Sequence, residues 1–136
     1  MVREIEHNTA VLSKKAADAT IMDLPIARDL EDTLAANADR CVGMAANMIG
    51  KPKRIIVFDD NGTQRTMMNP EIIKKSGEYE TEEGCLSLSG VRKTKRYMFI
   101  TVRYQDKRFQ TQTGNFSGFT AQIIQHEIDH CSGILI

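Results

Sequence analysis

The stretch QHEIDH, Gln125–His130, fits the pattern H-E-x-x-H. On an α-helix, His126 and His130 lie one turn apart on one face, so both imidazoles can reach a single ion. Glu127 lies about 100° round the helix from His126. At the edge of that face its carboxylate can act on a water beside the ion without ligating the ion itself. The plainer reading is a polar helix whose histidines face solvent or core. Two features weigh against it. The chain has three histidines, and two of them fall at this spacing around a glutamate. Ile123, Ile124 and Ile128 also make the helix apolar enough to bury, and unpaired polar groups are costly there.

A catalytic ion takes three protein ligands and keeps a further position open. Downstream of His130 stands only CSGILI, and Cys131 points roughly 100° away on the same helix. The third ligand must come from upstream. His7 is one candidate, though a terminal segment is a poor place for a fixed ligand. Cys85, in EEGCLSLSG between Gly84 and Gly90, is the better one. Backbone can approach closely there, and a thiolate suits a divalent transition metal. Taken alone, Cys85 reads more readily as a small buried hydrophobe, the common fate of a free cysteine.

The elements that must position these residues follow from periodicity. MDLPIARDLEDTLAANADR places Ile26, Leu30 and Leu34 at helical spacing, with Asp23 as N-cap and Pro25 in the first turn. RIIVFDDNGTQRTMMNP reads as strand, Asn61-Gly62 turn and strand, with Pro70 closing the second arm. YMFITVRYQDKRFQTQT reads as another antiparallel pair joined near Gln105-Asp106-Lys107. FSGFTAQIIQHEIDHCSG is a helix capped by Ser117 and stopped by Gly133. A helix, several hairpins and a last helix make an α+β fold, read as one domain over residues 1–136.

Composition agrees with a soluble globular chain: 41% hydrophobic, 26% charged, with 18 basic and 18 acidic residues. That balance gives no electrostatic case for stable nucleic-acid binding, and no apolar run is long enough for a membrane. Three cysteines, Cys41, Cys85 and Cys131, are an odd number and point to a reducing cytoplasm, not a disulfide framework. RKTKR, Arg92–Arg96, reads as a solvated basic strand or loop. GMAANMIGKPK has the wrong spacing for a phosphate loop, and DDNGTQ is a hairpin turn, not a calcium loop.

Together, EGCLS (Glu83–Ser87), QHEIDH and CVGMAANM (Cys41–Met48) resemble the three signatures of the peptide deformylases, in that family's order and across nearly the whole chain. The resemblance implies antiparallel β-sheets around a C-terminal metal-binding helix. It implies Cys85, His126 and His130 as ligands of one divalent ion, Fe2+ natively, with Zn2+, Ni2+ or Co2+ able to take its place. It further implies Glu127 as the base, the Leu86 backbone N–H as an oxyanion donor, and Val42, Gly43 and Gly84 as backbone contacts to an extended peptide. Glu83 becomes the residue that orients a ligating histidine. The implied reaction removes formyl from N-formylmethionyl nascent peptides, met close to the ribosome.

The chain departs from the family pattern at Met48, where the first signature ends in a glutamine that donates to the oxyanion. A thioether has no N–H to give. Asn47 cannot simply substitute, since neighbours in an extended segment face opposite sides. Reduced activity is the expectation. Cys41 takes the place of a glycine, and either alters the backbone path or is tolerated. The chain stops soon after the metal helix, so a ribosome contact through the C-terminal extension of many bacterial members is not expected. Two other readings stand beside deformylation: a metallohydrolase of the same fold acting on another formylated or acylated amine, and a non-catalytic protein that binds metal or formyl-peptides. The intact Glu127 argues against the last.

Overall fold

RIIVFDD carries an unbroken apolar run, and such a strand must be covered on both faces. A computed structural model, which describes residues 1–136, shows how. Strand β2 (Ile55–Asp60) sends Ile55 and Val57 toward helix α2 (Leu24–Ala36), where they meet Leu30 and Leu34. Ile56 and Phe58 point the other way, into a second cluster with Ile123 and Ile124 of helix α3 (Gly118–Cys131). The period-two alternation of a strand thus sorts one apolar run into two cores.

Around β2 lie β1 (Gly43–Ala45), β3 (Thr63–Cys85), β4 (Leu88–Gln105) and β5 (Thr111–Ser117). All pair antiparallel, in the spatial order β1-β2-β3-β4-β5. The fold is α+β, and the antiparallel layer around the last helix is one continuous five-stranded sheet. A single helical turn, α1 (Thr9–Leu12), is capped by Asn8 and buries Leu12. No helix is long and apolar enough to cross a membrane.

Several local expectations hold. Asn61 and Gly62 take φ of 52° and 94°, the left-handed pair that a tight hairpin between twisted strands requires. Pro70, however, does not close its strand: β3 runs on to Cys85. The ladder shifts register between Met68 and Glu71, so the missing proline N–H falls in a bulge. Asn69, at φ 51°, stitches that bulge down. Its side chain exchanges two hydrogen bonds with the Ala19 backbone, at 2.7 and 3.0 Å, and donates to Gln105 at 2.7 Å.

Asp23 sits at the N-cap position of α2 but makes no cap bond to it. Its carboxylate instead accepts from the Thr20 N–H at 2.8 Å, closing a capping box on the 3-10 turn Ile21–Asp23 that leads straight into α2. The turn supplies the start of the helix, so the aspartate is spent one turn earlier. Ser117 likewise occupies the N-cap of α3 without a side-chain bond.

The C-terminus of α3 ends as expected at Gly133, φ 77°. The Gly133 N–H donates to His130 O and the Ile134 N–H to Asp129 O, both at 3.0 Å, the double bond pattern of a left-handed helix stop. A Cβ there would lie 2.4 Å from the Ser13 carbonyl oxygen. Gly133→Ala combines backbone strain with a collision against backbone. It should destabilise the fold by about 2–4 kcal/mol, read as a lower urea midpoint at unchanged slope.

Candidate metal centre and active site

Three elements meet at the site. The β3–β4 hairpin closes through Leu86-Ser87, with Cys85 paired to Leu88, and presents Cys85 at its tip. Helix α3 presents His126, Glu127 and His130 from buried positions. Strand β1 lies so close to α3 that a Cβ on Gly43 would sit 2.7 Å from Ile123 Cγ2 and 2.8 Å from Glu127 Oε2. Glycine at position 43 is therefore what lets the sheet edge approach the helix.

Cys85 Sγ lies 3.4 Å from His130 Nε2, and the two Nε2 atoms lie 3.1 Å apart. All three ligand atoms fall within 4.8 Å of one another. A tetrahedral ion with N ligands near 2.0–2.1 Å and S near 2.3 Å needs edges of roughly 3.3–3.6 Å, and the two His130 edges are close to that size. The His126 Nδ1–H donates to Glu83 Oε1 at 2.8 Å, which leaves the Nε2 lone pair for an ion. His7 stays out of the cluster, its Nδ1 against Ser87 O at 3.0 Å.

The charges around the trio favour a cation. Burial opposes charge on His126, but Glu127, Cys85 and Glu83 outweigh it and lift its pKa to about 10. His130, buried and facing His126, is pushed down to about 3. Burial raises Glu127 to about 7, helped by Glu83 and Asp129 and opposed by His126 and Arg96. A carboxyl poised near neutrality can both take and return a proton. Glu83 is held down to about 2 despite its burial, because His126, Arg96 and Gln122 all hydrogen-bond its carboxylate.

Arg96 is the functional neighbour that the sequence hid. It belongs to the basic run RKTKR, expected to be solvated, yet its side chain is only 5% exposed. It clamps Glu83 through Nη2–Oε1 at 2.7 Å and Nε–Oε2 at 2.9 Å, and reaches Asp129 at 2.8 Å. Gln122 completes the shell around Glu83 at 3.0 Å. Strand alternation was the available signal: Arg92, Thr94 and Arg96 share one side of β4, and Glu83 on β3 pairs across with Arg92.

A cavity of about 550 Å³ opens on this cluster, lined among others by Val42, Gly43, Met48, Gly84, Leu86 and Glu127. Of the residues expected at the site, all but His130 line this cavity, and His130 is fully buried behind His126 and Cys85. The segment Ala46–Ile49 is a 3-10 turn, not extended. Met48 is buried at the cavity wall, while the Asn47 amide turns away and donates to Lys14 O at 3.0 Å. Asn47 does not take over from a glutamine at 48, because its amide is aimed at Lys14 and it does not line the cavity. Cys41 keeps a negative φ, so the backbone there has no need of glycine. Burial pushes its thiol up to about 11, and it donates to Gly43 O at 2.9 Å.

A thiolate and two imidazoles converging beside a buried carboxylate, in an open cavity, make a metallohydrolase-type centre. The family description "Polypeptide deformylase" matches residues 2–136. The chain is 52% identical over 136 residues, the full length of both, to a peptide deformylase of Clostridium beijerinckii. The structure superposes on a peptide deformylase from Legionella pneumophila with TM-score 0.88 and 34% identity, covering 99% of this chain and 83% of the other. A class I type b deformylase from Acinetobacter baumannii with Met-Ala-Ser bound matches at TM-score 0.89 and 27% identity, over 99% and 97% of the two chains. The chain belongs to the peptide deformylase family, metal-dependent enzymes that hydrolyse the formyl amide of peptides.

The Arg96–Glu83 pair can be tested by removing one partner. Arg96→Met leaves a buried carboxylate short of its strongest donor, and should cost about 3–5 kcal/mol of folding stability. Urea denaturation of the purified variant reads this directly.

Proposed function

We propose that residues 1–136 act as one domain that removes the formyl group from N-formylmethionyl peptides, releasing formate and a free amino terminus. The observation that carries this reading is the convergence of Cys85, His126 and His130 with buried Glu127 beside one cavity. A divalent ion held by those three side chains would supply Lewis acidity and an activated water. Fe2+ is the proposed native ion, since a thiolate and two imidazoles suit it, and Zn2+, Ni2+ or Co2+ suit the same donors.

The chain's own groups divide the remaining work. Glu127 accepts the proton of the attacking water and returns it to the leaving nitrogen, a task matched to a carboxyl near neutrality. The Leu86 N–H, at the hairpin tip, donates to the oxygen that becomes negative when the formyl carbon turns tetrahedral. Glu83, clamped by Arg96, fixes the tautomer and tilt of His126. Strand β1 is an edge of the sheet. An extended peptide can therefore run beside Val42 and Gly43, with Gly84 across the cavity. The Met-Ala-Ser complex of the Acinetobacter enzyme supports a methionine-led peptide as substrate. Such peptides are nascent chains, so the proposed setting is the cytoplasm, in transient proximity to ribosomes.

Met48 sets the rate. A family member with glutamine there has a second oxyanion donor; this chain has a thioether with no N–H. The test is formate release from a short formyl-Met peptide by anaerobically purified, metal-loaded protein. Glu127→Gln should lower kcat by about 10²–10⁴-fold with bound metal unchanged. Met48→Gln should raise kcat/KM by up to about 10²–10³-fold. No turnover by the wild type with stoichiometric metal would sink the reading. Turnover that Met48→Gln leaves unmoved would point to another acylated amine as substrate.

A further inference from the structure

The segment Ile5–Asn8 lies outside every strand and helix, yet it bonds to two turns that each contribute a residue to the cavity lining. The Glu6 N–H donates to Met48 O at 2.7 Å, on the 3-10 turn that forms one wall. The next residue, His7, contacts Ser87 O at 3.0 Å through Nδ1. A carbonyl oxygen only accepts, so His7 Nδ1 carries the proton and donates. Ser87 is buried and belongs to the Leu86-Ser87 turn, whose Leu86 also lines the cavity. The segment is itself held. Ile5 packs on the core cluster that contains Met48 and Ile49, Asn8 caps α1, and the Arg3 guanidinium pairs with Asp29 of α2 at 2.8 Å.

The hairpin tip has reason to need such a hold. Gly84 pairs with Val91 but Cys85 pairs with Leu88, so Ser89 and Gly90 bulge out of the ladder just where the thiolate is presented. Gly90 stands at φ 76° and Gly84 is exposed. Strand pairing leaves the tip with few backbone constraints, and what holds it otherwise is the packing of Cys85, Leu86 and Leu88 on the core cluster that contains Met48. The bond from His7 acts on the turn peptide itself, between Leu86 and Cys85 on one side and the bulge on the other.

We propose that His7 is a positioning residue for the active site: it anchors the Leu86-Ser87 turn, and through it the aim of the Leu86 N–H and of Cys85 Sγ. This rests on the deformylase reading only for its kinetic consequence. With Glu6 bonded to Met48, the pair of residues ties the 3-10 turn to the hairpin turn.

The test compares wild type, His7→Phe and His7→Asn, each as the full chain loaded with cobalt(II). Hydrogen exchange reads the amides of residues 85–91, the thiolate-to-cobalt absorption band reads Cys85, and formate release from a formyl-Met peptide reads kcat and KM separately. In His7→Phe, exchange at residues 86–88 should rise about tenfold while α2 is unmoved, the cobalt band should shift, and kcat should fall about tenfold with KM within about twofold. In His7→Asn, whose amide can place an N–H near the position of Nδ1, all three should recover. Unchanged exchange and band in His7→Phe would overturn the proposal. So would equal losses in both variants together with a common fall in melting temperature. If the wild type releases no formate, the deformylase reading fails, while exchange and the cobalt band still decide the role of His7.

Discussion

The arrangement hangs on one buried carboxylate. Glu83 receives His126, Arg96 and Gln122 at once: two donors stand one turn apart on the same face of α3, and the third comes from the neighbouring strand. A buried anion without partners would be expelled or neutralised. Because it is fully engaged, it locks helix to sheet at the height of the ligands. Arg96 extends the lock to Asp129, next to His130 in sequence. The hairpin and the helix are therefore joined by charge beside Cys85, while Ile123 and Ile124 of α3 pack with Ile100 and Val102 of β4.

How much of this was legible in the sequence depends on the range of the interaction. His126 and His130 declare themselves through a period of one helical turn, and Gly133 through its position after the last turn. Cys85 does not: nothing within EEGCLSLSG separates a ligand from a buried thiol, and its role became readable only beside the two other motifs. Arg96 was read as solvated because its neighbours are basic. Its environment is set by residues far along the chain on either side, whose convergence depends on strand register and on where α3 docks. Pro70 misled in the opposite sense. A proline argues for a strand end, but a bulge stitched by Asn69 absorbs the missing donor and lets the strand continue to the ligand.

The local structure around Met48 shows the same division. The tight 3-10 turn is not written in the apolar run MAANMI, and an extended reading was natural. Even so, the commitment of Asn47 to Lys14 leads to the result the extended geometry implied, for a different reason. Orientation was decided by a partner from a distant segment, not by strand alternation.

The sheet ends in two very different edges. β5 spans Thr111–Ser117 and is almost entirely polar, with Gly114 and Asn115 in its middle. A strand of that composition offers a poor template for another chain to zip onto. β1 is only three residues long, too short for register with a foreign strand beyond a couple of bonds, and it borders the cavity. A sheet protein that must accept an extended chain for its chemistry risks accepting copies of itself. Here the β5 edge is discouraging and the β1 edge is brief, so a short peptide can be held for one reaction while neither end of the sheet offers another copy a long template.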